Sequence, residues 1–197
     1  MPSQRALIIV ASFAASLALT LGVILWFASG SPRPSVLAPA PIGGAFELVD
    51  HNGGKVTEQA LSGKPTIIFF GFTHCPDVCP TALFEMSEVL RAMGSDADKI
   101  NAFFVSVDPE RDTPAVMKDY LGSFDPRLKG LSGSREATDK IIAAYRVFAK
   151  NIPLQGDDYT MDHTALIYLM GKDGKFVAPF NLKRQPEAAA ADLKRYL

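Results

Sequence analysis

Residues 65–80 read PTIIFFGFTHCPDVCP, and this stretch decides the fold. From Pro65 to Thr73 runs a nearly unbroken series of β-branched and aromatic residues. An apolar run of that length without polar alternation predicts a strand buried on both faces. Both cysteines of the chain follow at once, Cys75 and Cys79, each preceding a proline. Leu83, Met86, Leu90 and Met93 then recur at helical spacing up to Gly94, which predicts a helix with Pro80 as its first residue. The cysteines therefore fall between a buried strand and a helix N-terminus, where folds of this kind present reactive groups. A helix N-terminus favours anions and is expected to depress a thiol pKa.

Asn101 to Asp108 is a second buried strand, and Thr113-Pro114 opens a helix with Val116, Met117, Tyr120 and Leu121 on its apolar face. Leu128 to Leu131 is short and is expected at a sheet edge. Ser134 caps a helix carrying Ile141, Ile142 and Tyr145. Thr164 to Met170 and Lys175 to Phe180 flank the turn residues 171–174, and a last helix starts at Pro186. Upstream, Phe46 to Asp50 and Lys55 to Thr57 flank His51-Asn52-Gly53-Gly54, an N-terminal β-hairpin signal. Strands alternating with helices and closing on a hairpin plus helix give an α/β fold of thioredoxin-like order.

The chain has 197 residues, 20 basic and 21 acidic side chains, and 48% hydrophobic residues. It is too apolar for disorder and too poor in cysteine for a disulfide scaffold. It is too near neutrality to attract nucleic acid by a general basic field. Much of the apolar excess lies at residues 6–28, which carry no charge. As a helix this segment would rise about 35 Å, against roughly 30 Å of membrane hydrocarbon. A single transmembrane anchor is the reading, although Ala28-Ser29-Gly30 offers a small-x-small cleavage site. Arg5 and the N-terminal amine on one flank, against Arg33 on the other, favour residues 1–5 in the cytoplasm. Ser12, Ser16 and Thr20 share a helix face, as helix-packing residues or as tolerated small polar groups. Residues 29–43 include Pro32, Pro34, Pro39 and Pro41 and read as a semi-rigid spacer. Residues 44–197 form the outer domain, with 18 basic and 21 acidic side chains.

Three readings of the C-x3-C pair compete. A structural disulfide would close a tiny loop and remove little chain entropy. A redox dithiol or a metal site accounts better for the position. Two soft thiolates suit Cu(I), whereas structural zinc usually takes four protein ligands. Of the three histidines, His51 lies in the hairpin turn, and His74 abuts Cys75 and is expected to point away from it. His163 is expected at the entry to an apolar strand, opposite the cysteine turn. Thiol oxidoreductases of this fold carry a cis-proline there, and this chain has no proline between Pro153 and Pro179.

FGFTHCPDVCP (70–80), VSVDPERDTP (105–114) and DHTALIYL (162–169) together resemble the Sco/SenC family, in order and across nearly the whole outer domain. The resemblance implies a membrane-anchored, thioredoxin-like copper metallochaperone that assists assembly of the CuA centre of cytochrome c oxidase. Its metal ligands map onto Cys75, Cys79 and His163. The implied cargo is copper, Cu(I) first and Cu(II) as well. Implied partners are the copper-acceptor subunit of the oxidase and an upstream copper donor or thiol reductant. The alternative is a thiol–disulfide oxidoreductase using Cys75 and Cys79 to reduce the acceptor's cysteines. No Arg- and Ser-rich transit region precedes the apolar segment, which favours a bacterial cytoplasmic membrane with the domain in the periplasm. The segment 108–114 reads as a strand-to-helix loop with a cap and local ion pairs. Asp77 and Asp162 are expected either to orient the ligands or simply to be solvated.

Overall fold

Strand β3 (Thr66–Gly71) is the apolar run of the sequence, and every one of its residues is buried. The computed structural model describes residues 3–28 and 41–197. Within 41–197, β3 pairs in parallel with β4 (Asn101–Ser106), which pairs in parallel with β5 (Leu128–Ser132). On its other side β3 pairs antiparallel with β8 (Ile167–Met170), and β8 with β9 (Phe176–Phe180). The N-terminal hairpin, β1 (Glu47–Asp50) and β2 (Lys55–Thr57), joins through β1 to β5, giving the order β2-β1-β5-β4-β3-β8-β9. A separate hairpin, β6 (Ala149–Pro153) and β7 (Tyr159–His163), pairs with itself and not with the seven-stranded sheet.

The helices follow the expected punctuation. Helix α2 (Val78–Met93) ends on Gly94, whose φ of 62° suits glycine. Thr113 caps α3 (Pro114–Leu121) by accepting from the Val116 N–H, and Ser134 caps α4 (Arg135–Ala144) by accepting from that of Ala137. Helix α5 (Pro186–Lys194) packs along α2. The buried core centres on Phe69, Phe70, Phe72, Phe104, Leu83, Met86 and Leu90.

Three expectations are corrected. Strand β5 is internal, because β1 covers its outer side. Gly130 lets α3 lie close there: a Cβ would stand 2.8 Å from Leu121 and 2.9 Å from Met117. Helix α2 begins at Val78 rather than Pro80. Pro80 falls within the first turn, where an N–H has no intrahelical acceptor to lose, so the helix accommodates it and takes Cys79 with it. His163 closes β7 instead of opening the apolar strand, which starts only at Ile167.

The segment at the N-terminus is described by itself. Helix α1 (Gln4–Ala28) is long and apolar enough to cross a membrane, and its side chains from 4 to 27 are exposed. The Ser12 and Thr20 hydroxyls donate to the carbonyls of Ile8 and Ser16 in their own helix, the local satisfaction expected of tolerated polar groups. The proline-rich spacer at 29–43 lies, up to residue 40, outside the described residues.

Candidate metal centre

The parallel register sets Gly71, the last residue of β3, beside Ser106, the last of β4, so the loops after both strands emerge together. The first carries Thr73, His74 and Cys75, and turns into α2 at Val78. Cys79, in the first turn of that helix, points into the protein and is fully buried, whereas Cys75 is partly exposed. The Cys79 N–H approaches the Cys75 sulfur at 3.4 Å. Gly71 is required by this packing, since a Cβ there would stand 2.7 Å from both the Cys79 sulfur and the Phe104 ring.

His163 arrives from β7. Tyr159, Met161 and His163 share one face of that strand, while Asp162 points out and is exposed. The imidazole packs edge-on against Phe72 (centroids 5.7 Å apart, planes at 89°) and against Phe69 at 6.1 Å. Its Nδ1 lies 3.1 Å from the Thr164 carbonyl, which can only accept, so Nδ1 carries the proton of the neutral ring. Nε2 is then a bare lone pair, 3.5 Å from the Cys79 sulfur. One ligand atom each from Cys75, Cys79 and His163 fall within 4.8 Å of one another.

The electrostatics favour a protonated Cys79 thiol beside a neutral His163 imidazole. Burial pushes the Cys79 thiol well above its ordinary range, with Cys75 and Asp112 adding to the rise. The expected depression by the helix N-terminus is overridden there, because desolvation of a fully buried thiolate outweighs a partial positive charge. Burial also lowers the His163 pKa and keeps its imidazole neutral. Two thiols and a neutral imidazole form a soft donor set of three, short of the four that structural zinc takes and compatible with Cu(I).

The other histidines stand apart. His74 is exposed and its Nδ1 meets the Thr73 hydroxyl at 3.1 Å. His51 is tied into its turn, where Nδ1 accepts from the Gly130 N–H at 2.9 Å. The loop 108–114 does cap α3 and does hold ion pairs, but it is no ordinary surface loop, since Asp108 and Asp112 are fully buried. Asp112 accepts from the hydroxyls of Thr73 and Ser106, each at 2.6 Å. In the sequence the motif is visible only as several charges around Pro109 and Pro114, and their burial has no signature in composition.

The SCO1/SenC family model matches residues 35–197. The human mitochondrial SCO1 homolog is 42% identical over 154 residues, covering 76% of this chain and 51% of that protein, so the chain spans about half of its length. The structure of Bradyrhizobium japonicum ScoI with copper bound is 71% identical, with a TM-score of 0.78 over 79% of this chain and 99% of that one. BsSco, described as having a disulfide switch and as a member of the Sco family of cytochrome c oxidase assembly proteins, is 22% identical. With a TM-score of 0.62 over 79% of this chain and 94% of that one, it shares the fold.

Proposed function

Since the chain belongs to the SCO1/SenC family, we propose that it is a copper metallochaperone that binds the ion through Cys75, Cys79 and His163 and assists assembly of the CuA centre of cytochrome c oxidase. The observation that carries this reading is the convergence of two free thiols and a bare imidazole nitrogen within 4.8 Å. Three soft donors suit Cu(I), and leaving out a fourth keeps a path open for ligand exchange. Cys79 is the one fully buried ligand and Cys75 and His163 are both partly exposed, so exchange with an acceptor begins at one of those two while Cys79 holds the ion longest. The copper-bound relative and the family's association with oxidase assembly support cargo and pathway alike.

In this reading residues 1–5 lie in the cytoplasm, 6–28 anchor the chain in a bacterial cytoplasmic membrane, and 29–43 space the domain 44–197 into the periplasm. Helix α1 supports the anchor by its length and composition. The upstream partner is a copper donor or thiol reductant.

The test is a Cu(I) titration of the reduced, detergent-solubilised chain against a competing chelator, for wild type, Cys75→Ala and His163→Ala. Tight one-to-one binding in wild type that weakens in both variants supports the proposal; absence of such binding in wild type ends it. A second reading, thiol–disulfide exchange with the acceptor's cysteines, is favoured by the proximity of two free thiols. A disulfide-reductase assay on Cys75→Ala and wild type separates it, since only an intact dithiol turns over.

A further inference from the structure

We propose that the loop between β4 and α3, residues 108–112, fixes the distance between the cysteine loop and His163, with Arg111 and Asp112 as positioning residues for the metal centre. The inference rests on the copper reading of Cys75, Cys79 and His163, and extends it to residues that are not ligands.

One end of the loop holds the cysteine side. The Asp112 carboxylate receives the Thr73 backbone N–H at 3.2 Å and the Thr73 hydroxyl at 2.6 Å, two residues before Cys75. The Cys75 N–H in turn donates to the Phe72 carbonyl at 3.3 Å. The other end holds the histidine side. Asp108 accepts from Arg111 Nε at 2.5 Å with one oxygen and from the Tyr159 hydroxyl at 2.7 Å with the other. Arg111 Nη1 donates to the Tyr159 carbonyl at 2.9 Å, and its guanidinium lies 3.7 Å over the Tyr159 ring. Tyr159 and His163 sit on the same face of β7. Between the two ends, the Phe72 ring lies 5.8 Å from the guanidinium and 5.7 Å from the His163 ring.

The arrangement is expensive for a loop with only a local purpose. Two fully buried carboxylates and a mostly buried arginine carry a desolvation penalty of several kcal/mol per ion unless each is well partnered. The hairpin β6–β7 has no ladder to the main sheet, so side-chain contacts must place it, and the Arg111–Asp108–Tyr159 cluster is the polar part of that placement. Arg111 has the planar fork and the stacking face that this role needs, which lysine lacks.

The experiment is a double-mutant cycle on the reduced full chain in detergent. Arg111→Met is expected to lower Cu(I) affinity by about 10-fold, as removal of a ligand-orienting partner does. In a His163→Ala background the same substitution is expected to change affinity by less than about twofold, because the residue acts through His163. Arg111→Lys should fall between Arg111→Met and wild type. In the metal-free protein, amide hydrogen exchange in β6–β7 should quicken in Arg111→Met while β3 stays protected. Unchanged affinity in Arg111→Met, or an equal loss in both backgrounds, overturns the proposal. If Arg111→Met does not fold, Tyr159→Phe, which removes only the hydroxyl on Asp108, takes its place in the same cycle. If wild type binds no Cu(I), the copper reading falls, and the exchange measurement alone then decides whether the loop positions the hairpin.

Discussion

The sulfur of Cys79 and the Nε2 of His163 stand 3.5 Å apart, with the imidazole's one proton committed to the Thr164 carbonyl on the far side of the ring. The pair is therefore a protonated, buried thiol facing a ring nitrogen that carries no proton. Burial raises the Cys79 pKa and lowers that of His163, so at neutral pH the proton stays on sulfur until a metal ion displaces it. Metal binding must then release at least one proton. Cu(I) affinity is expected to rise about tenfold per pH unit for each proton released, across about pH 6.5–8.5, because the imidazole is already neutral there. A competition titration at several pH values checks this; a flat profile would mean that the thiol is already ionised.

The two histidines near the cysteines should behave oppositely. His74 is adjacent to Cys75 in sequence, yet its ring is exposed and its contact is with the Thr73 hydroxyl. His74→Ala is expected to change Cu(I) affinity by no more than about twofold, the usual range for an exposed side chain. His163→Ala should weaken it by far more, and the comparison of the two titrations checks which ring ligates.

What was legible in the sequence follows the strength of the local signal. Strands β3 and β4 are continuous apolar runs buried on both faces, so length and composition suffice to find them. Cys75 and Cys79 lie between such a strand and a helix, and the missing cis-proline points to His163. The hairpin β6–β7 escaped because AKNIP and YTMDH alternate too weakly to look like strands. The burial of Asp108 escaped for a different reason, since its partner Tyr159 is 51 residues away and no spacing rule connects them. The internal place of β5 depends on which strand covers it, a tertiary choice that its five residues do not encode.

Gly71 gives a steric test of the site. A methyl group there would lie 2.7 Å from the Cys79 sulfur and from the Phe104 ring, and neither can retreat within a close-packed core. Gly71→Ala is expected to cost about 1–3 kcal/mol of stability by overpacking. It should also weaken Cu(I) binding beyond that of a core substitution far from the sulfur. Denaturant unfolding of the metal-free protein and a Cu(I) titration check the two effects separately.

The Asp125–Arg127 pair lies away from the metal centre and supplies an acid-sensitive contribution to stability. Asp125 accepts from Arg127 Nε at 2.8 Å and Nη2 at 2.7 Å, its own N–H donates to the Ser87 hydroxyl oxygen at 3.0 Å, and Arg127 Nη1 donates to the Gly94 carbonyl at 3.0 Å. The pair thus ties the segment after α3 to the end of α2. Burial acts to raise the Asp125 pKa, but the hydrogen bonds and charge of Arg127 outweigh it and hold the carboxyl below its ordinary value. The folded state therefore binds fewer protons at this site than the unfolded chain does. The resulting stability is fully present above the unfolded carboxylate pKa of about 3.9 and is lost as pH falls through the lower folded value. Arg127→Leu leaves a nearly buried carboxylate without its partner and should cost on the order of 1–3 kcal/mol at neutral pH. Denaturant unfolding at neutral pH and near pH 3 checks this, because the gap between wild type and variant should narrow in acid; a gap that is constant with pH would assign the loss to packing of the arginine stem instead.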